Sequence, residues 1–186
     1  MVVSYNYRKA HGTTMDVLRC WARYRKQAFA ISSELEIELK GDKRKKSWFA
    51  DFIMANDKDI IEVEVKKTKS DFRSDLRRKR EKHENLTHVT RFYFCCSQDA
   101  EEGLGEYMID VLKKDYPKYG VMLVGVPTSR GHLYDEADRV HIIRRGLELG
   151  EYSRDIAERI KDTMSSEIAH ISLNNIREKL RAKRLN

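Results

Sequence analysis

An α/β protein with a mixed sheet flanked by helices is what this sequence predicts, on three observations. Apolar and charged residues alternate in Leu35-Glu36-Ile37-Glu38-Leu39 and again in Ile61-Glu62-Val63-Glu64-Val65, the two-residue period of a strand. Elsewhere apolar residues recur every three to four positions, the period of an amphipathic helix. The signals come in the order α-β-β-β-α-β-α-β followed by helices. That order means a three-strand meander, a crossover helix and a further strand in the same sheet.

The first helix is expected over Met15 to Ile31, where Val17, Trp21, Tyr24, Ala28 and Ile31 share a face. Leu35, Ile37 and Leu39 then mark a half-buried strand, with Glu34, Glu36 and Glu38 on its other side. Gly41-Asp42 opens a turn and Lys43 to Lys46 a basic loop. A second strand covers Trp48 to Met54, and Asn56-Asp57-Lys58-Asp59 makes a polar hairpin turn into a third, Ile60 to Lys66. Ser70 is placed to cap the next helix, which carries Phe72, Leu76, Lys79 and His83 along one side. Arg91 to Cys96 reads as a buried strand and Glu101 to Asp115 as a helix with Leu104, Met108, Val111 and Leu112 inward. Val121 to Val126 and Val140 to Ile143 are short strands. Helices over Ser153 to Thr163 and Ser165 to Lys183 close the chain. The expected division is a domain over residues 1–150 and a C-terminal helical extension over 151–186.

Composition narrows the function classes. The 186 residues are 36% charged and 40% hydrophobic with two prolines, a globular composition with enough chain to bury a core. A formal charge of +7 favours an anionic partner, nucleic acid first. Cys20, Cys95 and Cys96 show no zinc or redox spacing and read as reduced residues, which fits a cytoplasmic setting. The first eleven residues hold no signal-peptide core, and no run approaches the roughly 18 apolar residues of a membrane span. No Gly-rich phosphate loop supports a nucleotide cofactor, and the six histidines form no metal or catalytic grouping.

The chemistry concentrates on the second and third strands. Residues two apart on a strand project from one face, so Glu64 and Lys66 point together, and a hairpin can bring Asp51 beside Glu64. Two converging carboxylates make an oxygen-rich site suited to Mg²⁺ or Mn²⁺. Lys66 would orient an attacking water or meet developing charge; acting as a general base would require a depressed pKa. Glu-x-Lys alone carries little weight, because Glu38-Leu39-Lys40 matches it equally well and a solvated strand face produces the same pattern. The second copy differs in following an Asp-bearing strand and preceding a basic helix. From Lys66 to Lys82 nine Lys or Arg face three Asp or Glu, which reads as a phosphate track or as a solvated helix face. Lys67, Lys69, Arg73, Arg77 and Arg78 are its candidate nucleic-acid contacts.

Ala50-Asp51, Ile61-Glu62-Val63-Glu64-Val65-Lys66 and Ser70-Asp71-Phe72-Arg73-Ser74-Asp75 together resemble the PD-(D/E)xK nuclease superfamily. Within it the likeness is greatest to the MmcB-type DNA repair proteins, over about residues 33–97 and loosely to 145. The resemblance implies a restriction-endonuclease-like αβββαβ core, Mg²⁺ (or Mn²⁺) as cofactor, DNA as substrate and Asp51, Glu64 and Lys66 as catalytic residues. It further implies that the Val65 carbonyl joins Asp51 and Glu64 on the metal. Ala50 stands where the family often has proline, and Arg77 where a lysine is common. A further acidic ligand would come from Glu34, Glu36 or Glu38. The activity expected is endonucleolytic hydrolysis of DNA by metal-activated water; the rival readings are a non-catalytic DNA-binding scaffold and a junction- or RNA-directed nuclease.

Overall fold

A computed structural model describes residues 3–38, 47–84, 86, 88–97, 100–125 and 137–164. Six strands form one sheet in sequence order: β1 (Ala30–Glu38), β2 (Ser47–Ala55), β3 (Ile60–Lys66), β4 (Arg91–Ser97), β5 (Gly120–Val124) and β6 (Val140–Arg144). The first three run antiparallel as a meander, β3, β4 and β5 run parallel, and β6 returns antiparallel. Helices α1 (Val3–Arg25), α2 (Lys69–Arg78), α3 (Arg80–Glu84), α4 (Leu104–Asp115) and α5 (154–164) flank it. The expected mixed sheet with flanking helices is therefore present. Lys43 to Lys46, Leu39-Lys40, Val126 and residues 165–183 lie outside the described residues.

Each face of the sheet has its own core. Against one face α1 lays Leu18, Trp21 and Ala22 onto Phe52, Val63 and Tyr93. Against the other, Phe72 of α2, Leu104, Met108 and Leu112 of α4 and Ala157 and Ile160 of α5 pack on Ile53, Phe92, Phe94 and Val121. Phe72 and Phe94 meet edge to face with centroids 4.9 Å apart, which fixes the start of α2 over β4. Lying between these layers, β3 is buried along its whole length, so its charged face is not solvated.

Several boundaries differ from the sequence expectation. The first helix runs Val3–Arg25 rather than Met15 to Ile31. Gln27, at φ 53°, turns the chain, and the Lys26 and Ala28 amides donate back to the Trp21 and Ala22 carbonyls. Ala28 and Ile31 continued the helical period by coincidence; Ile31 belongs to β1. Thr68, not Ser70, caps α2, its hydroxyl accepting from the Asp71 amide at 3.0 Å. That helix stops at Lys79, and a short second helix carries Lys82 and His83 inward. The next helix begins at Leu104 rather than Glu101, and β5 spans Gly120–Val124.

Candidate metal and phosphodiester site

The site forms where the β2–β3 ladder ends. Paired residues run from Ala55↔Ile60 to Phe52↔Val63 and go no further. Past that point the Asp51 side chain replaces the neighbouring backbone, Oδ2 accepting from the Val65 amide at 2.9 Å. An amide and carbonyl of one strand residue point to the same side, so the Val65 carbonyl is also directed toward β2. Asp51, Val65, Lys66, Asp75, Arg78 and Lys79 are among the walls of an open cleft of about 490 Å³ between this sheet end and α2.

Behind the cleft lies a buried ionic network. Glu64 is fully buried, and Lys66, Lys79 and Lys82 all direct ammonium groups at it: Lys66 at 3.2 Å, Lys79 at 2.9 and 3.0 Å, and Lys82 in closer contact still. Asp75 accepts from Lys66 at 2.8 Å, lies 3.0 Å from Lys79, and holds His83 Nε2 at 3.0 Å. Glu62, two residues back on β3, contacts Lys82 and lies 2.7 Å from His88. Its Oε1 is in ion-pair contact with Lys82.

These contacts set the proton affinities. Burial and then the nearby Glu64 charge push Asp51 from its usual 3.8 up to about 7, against weaker opposing pulls from Lys66 and Lys79. Burial would also raise Asp75, but His83, Lys66 and Lys79 outweigh it and hold that carboxyl well below the usual range. Burial opposes charge on Lys66, yet Glu64, Asp75 and Asp51 raise its pKa above the ordinary lysine value. Lys66 is thus a held cation, and the depressed pKa a general base requires is not there. Burial pushes Cys96 up to about 12 and Cys95 well above the thiol range, so both behave as core residues.

Asp51, Glu64 and Lys66, singled out from sequence, share one face of adjacent strands. The five basic candidates separate. Arg78 lines the cleft, Arg73 and Arg77 face the opposite side of α2, Lys69 pairs with Glu101 at 3.4 Å, and Lys67 is half-buried at the strand exit. Glu36 is exposed on β1; Glu34 and Glu38 lie on the same strand with side chains outside the described set. Lys82 and Glu62 were not singled out, because a lysine among nine cations and one of two alternating acids look solvated in sequence.

Asp51, Glu64 and the Val65 carbonyl are hard oxygen donors of the kind Mg²⁺ takes. Among the described residues no three His, Cys, Asp or Glu side chains are grouped to hold a metal ion. The carbonyl and waters would complete such a shell. A cation can reach Glu64 only if an ammonium leaves it, and Lys79, 30% exposed, is the one with an outward path. The donor set fits a hard divalent ion on that condition.

No family model and no curated protein matches the chain. It is similar in fold to a solved structure of SPO1766, a protein of unknown function from Silicibacter pomeroyi. The TM-score is 0.50 at 14% identity, over 90% of this chain and 92% of that one. No helix among the described residues is long and apolar enough to cross a membrane.

Proposed function

We propose that this protein is a metal-dependent DNA nuclease of the PD-(D/E)xK type, with β1–β2–β3–α2–β4 as its restriction-endonuclease-like core. The observation that carries the reading is Asp51. It is a carboxylate at the open end of the sheet, beside a second carboxylate and a lysine, pushed up to about 7 by burial and by the neighbouring Glu64 charge, and among the described residues no cation contacts it directly. Such a group gains from a divalent ion that brings the missing charge. Asp51, Glu64 and the Val65 carbonyl would hold Mg²⁺ or Mn²⁺, which when bound supplies a water of lowered pKa and neutralises phosphate charge. Lys66, fixed by Glu64 and Asp75, meets negative charge developing on the phosphate. Arg78, on the cleft wall, contacts the backbone of the bound strand.

A second reading is a non-catalytic DNA-binding scaffold, favoured by one observation: both Glu64 oxygens already receive ammonium donors. Incubating the protein with supercoiled, linear and single-stranded DNA in Mg²⁺, Mn²⁺ or EDTA separates the two. The nuclease reading expects cutting only with metal and none by Asp51→Asn or Glu64→Gln. It also expects Lys66→Ala, checked for fold by circular dichroism, to lose rate by on the order of 10²-fold while still binding DNA in Ca²⁺. Tight binding without cutting under every metal hands the site to the scaffold reading.

A further inference from the structure

The helix that walls the carboxylate cleft has a second charged side. Ser70, Asp71, Ser74 and Arg78 of α2 face the cleft, whereas Arg73, Leu76 and Arg77 line a separate groove against α4. That groove, about 730 Å³, is the larger of the two and is completed by Tyr107, Val111, Lys114 and Tyr116. Four cations face two carboxylates in it, and one of those, Glu84, is bound by Arg80 at 2.7 Å. The Arg77 side chain makes no hydrogen bond or ion pair among the described residues.

Arg73 is held ready for a ligand. Its Nε donates to the Tyr107 hydroxyl and its guanidinium lies over the Tyr107 ring, 5.1 Å from the centroid. With Nε bound to Tyr107, the two terminal nitrogens of this groove-lining residue make no hydrogen bond among the described residues, and such a planar fork is the geometry that matches a phosphate. Arg73 and Arg77 are four apart on one helix, with Cβ atoms about 6 Å apart, close to the step between successive phosphates of an extended strand. The groove floor is different in kind. Leu76, Val111 and the Tyr116 ring, itself stacked on Tyr119 at 5.0 Å, offer apolar and aromatic surface.

We propose that the α2–α4 groove binds a single-stranded stretch of nucleic acid, its phosphates on Arg73, Arg77 and Lys114 and its bases against Leu76 and Tyr116. A duplex presents only phosphates to such a groove and gains nothing from the floor, because its bases are stacked inside. An unpaired strand offers both. The inference rests on the nucleic-acid reading above and sharpens it: the substrate carries a single-stranded arm on one side of α2 while the duplex or junction reaches the cleft on the other.

Fluorescence anisotropy in EDTA, with a labelled oligothymidine and a blunt duplex of equal length, tests the groove without any cutting. Arg73→Gln/Arg77→Gln should weaken single-strand binding by on the order of tenfold or more. It should also flatten the salt dependence by about 1.4 units of log–log slope, two contacts at about 0.7 each. Duplex affinity should change less than threefold. Tyr116→Ala should weaken the single strand alone, at unchanged salt slope. Equal losses for single strand and duplex, or an unchanged single-strand slope, overturn the proposal. The nuclease reading fails separately: a groove-dependent single-strand preference in a protein that never cuts keeps the groove and removes the hydrolase.

Discussion

At the Ile60 end of β3, Glu62 is closed in by Lys82 and His88. Beside the other end, Asp51 of β2 borders the cleft with, among the described residues, only a backbone amide on its oxygen. Burial raises both carboxyls. Lys82 and then His88 overturn that for Glu62 and bring it from 4.5 down to about 2, whereas Glu64 adds to it for Asp51, which rises to about 7. The deciding difference is where the ammonium groups go. Lys66 and Lys79 lie near Asp51, but their short contacts are with Glu64 and Asp75. One end of the strand is a finished ion pair that holds α3 to the sheet; the other is a carboxylate left short of positive charge. A buried ion pair with both partners present adds little net stability, but one left half-made is strongly unfavourable.

Breaking the finished end should have the largest effect. Lys82, 2% exposed, is shared by Glu62 and Glu64, so Lys82→Ala leaves two buried carboxylates short of a counterion. We expect a loss of about 3–5 kcal/mol in urea unfolding. A loss under about 1 kcal/mol would mean that water reaches both carboxylates and the closed-end picture is wrong.

The open end should respond with the opposite sign. Asp51 has a folded pKa near 7 and an unfolded one near 3.8, so the folded state binds the extra proton between them and stability falls as pH rises through that window. Asp51→Asn removes the penalty. The variant should match wild type below about pH 4 and gain on it up to about pH 7. Beyond that it should stay ahead by on the order of 3 kcal/mol, after discounting for partial solvent contact. Glu62 works the other way: its stabilisation is present above pH 4.5 and lost as pH falls toward 2. Denaturation midpoints from pH 2 to 8.5 read both slopes, and a variant no more stable than wild type at pH 8 contradicts the raised Asp51 pKa.

Much of this contrast was hidden in the sequence for physical reasons. The strand Ile60–Lys66 was legible residue for residue, because a polar turn precedes it and alternation marks both faces. Glu64 and Lys66 were legible as one face because strand geometry alone places them there, and Asp51 as their neighbour because a hairpin can bring the second strand beside the third. What alternation cannot tell is whether the polar face meets water or a helix, and here α2 and α3 cover it. Lys79 and His83 did fall on the inner side of the expected helix. The break at Lys79 that turns Lys82 inward carries no Gly or Pro to announce it. The same silence at Gln27 let the first helix be read six residues too far, past Arg25 to Ile31.

A smaller effect sharpens the contrast at the metal. Lys79 competes with any cation for Glu64 while staying partly in solvent. Calorimetric titration with Mn²⁺ should find Lys79→Met binding on the order of tenfold more tightly than wild type, about 1.4 kcal/mol. Affinity in both proteins should rise from pH 6 to 8 as Asp51 gives up its proton. Equal or weaker binding by the variant would show that Lys79 does not compete with the metal for Glu64.

The smallest effect concerns how α2 is started. This helix carries Asp75 to the network on one side and Arg73 and Arg77 to the groove on the other, so its first turn sets both surfaces. The Thr68 hydroxyl satisfies the Asp71 amide, one of the orphan donors of the first turn, while its own extended backbone (φ −135°, ψ 157°) suits a capping residue. Ser70 is already inside the helix, where a hydroxyl has no orphan amide to serve. Thr68→Ala should therefore lower stability by about 1 kcal/mol, and Ser70→Ala should stay within about 0.5 kcal/mol of wild type. Lys66 leaves the strand two residues before the cap, and its bond to Asp75 depends on the angle at which α2 departs. A frayed first turn should loosen that bond, so hydrogen exchange at the Asp71 and Phe72 amides should quicken in Thr68→Ala and not in Ser70→Ala. The reverse pattern would put the cap back at Ser70 and start the helix two residues later.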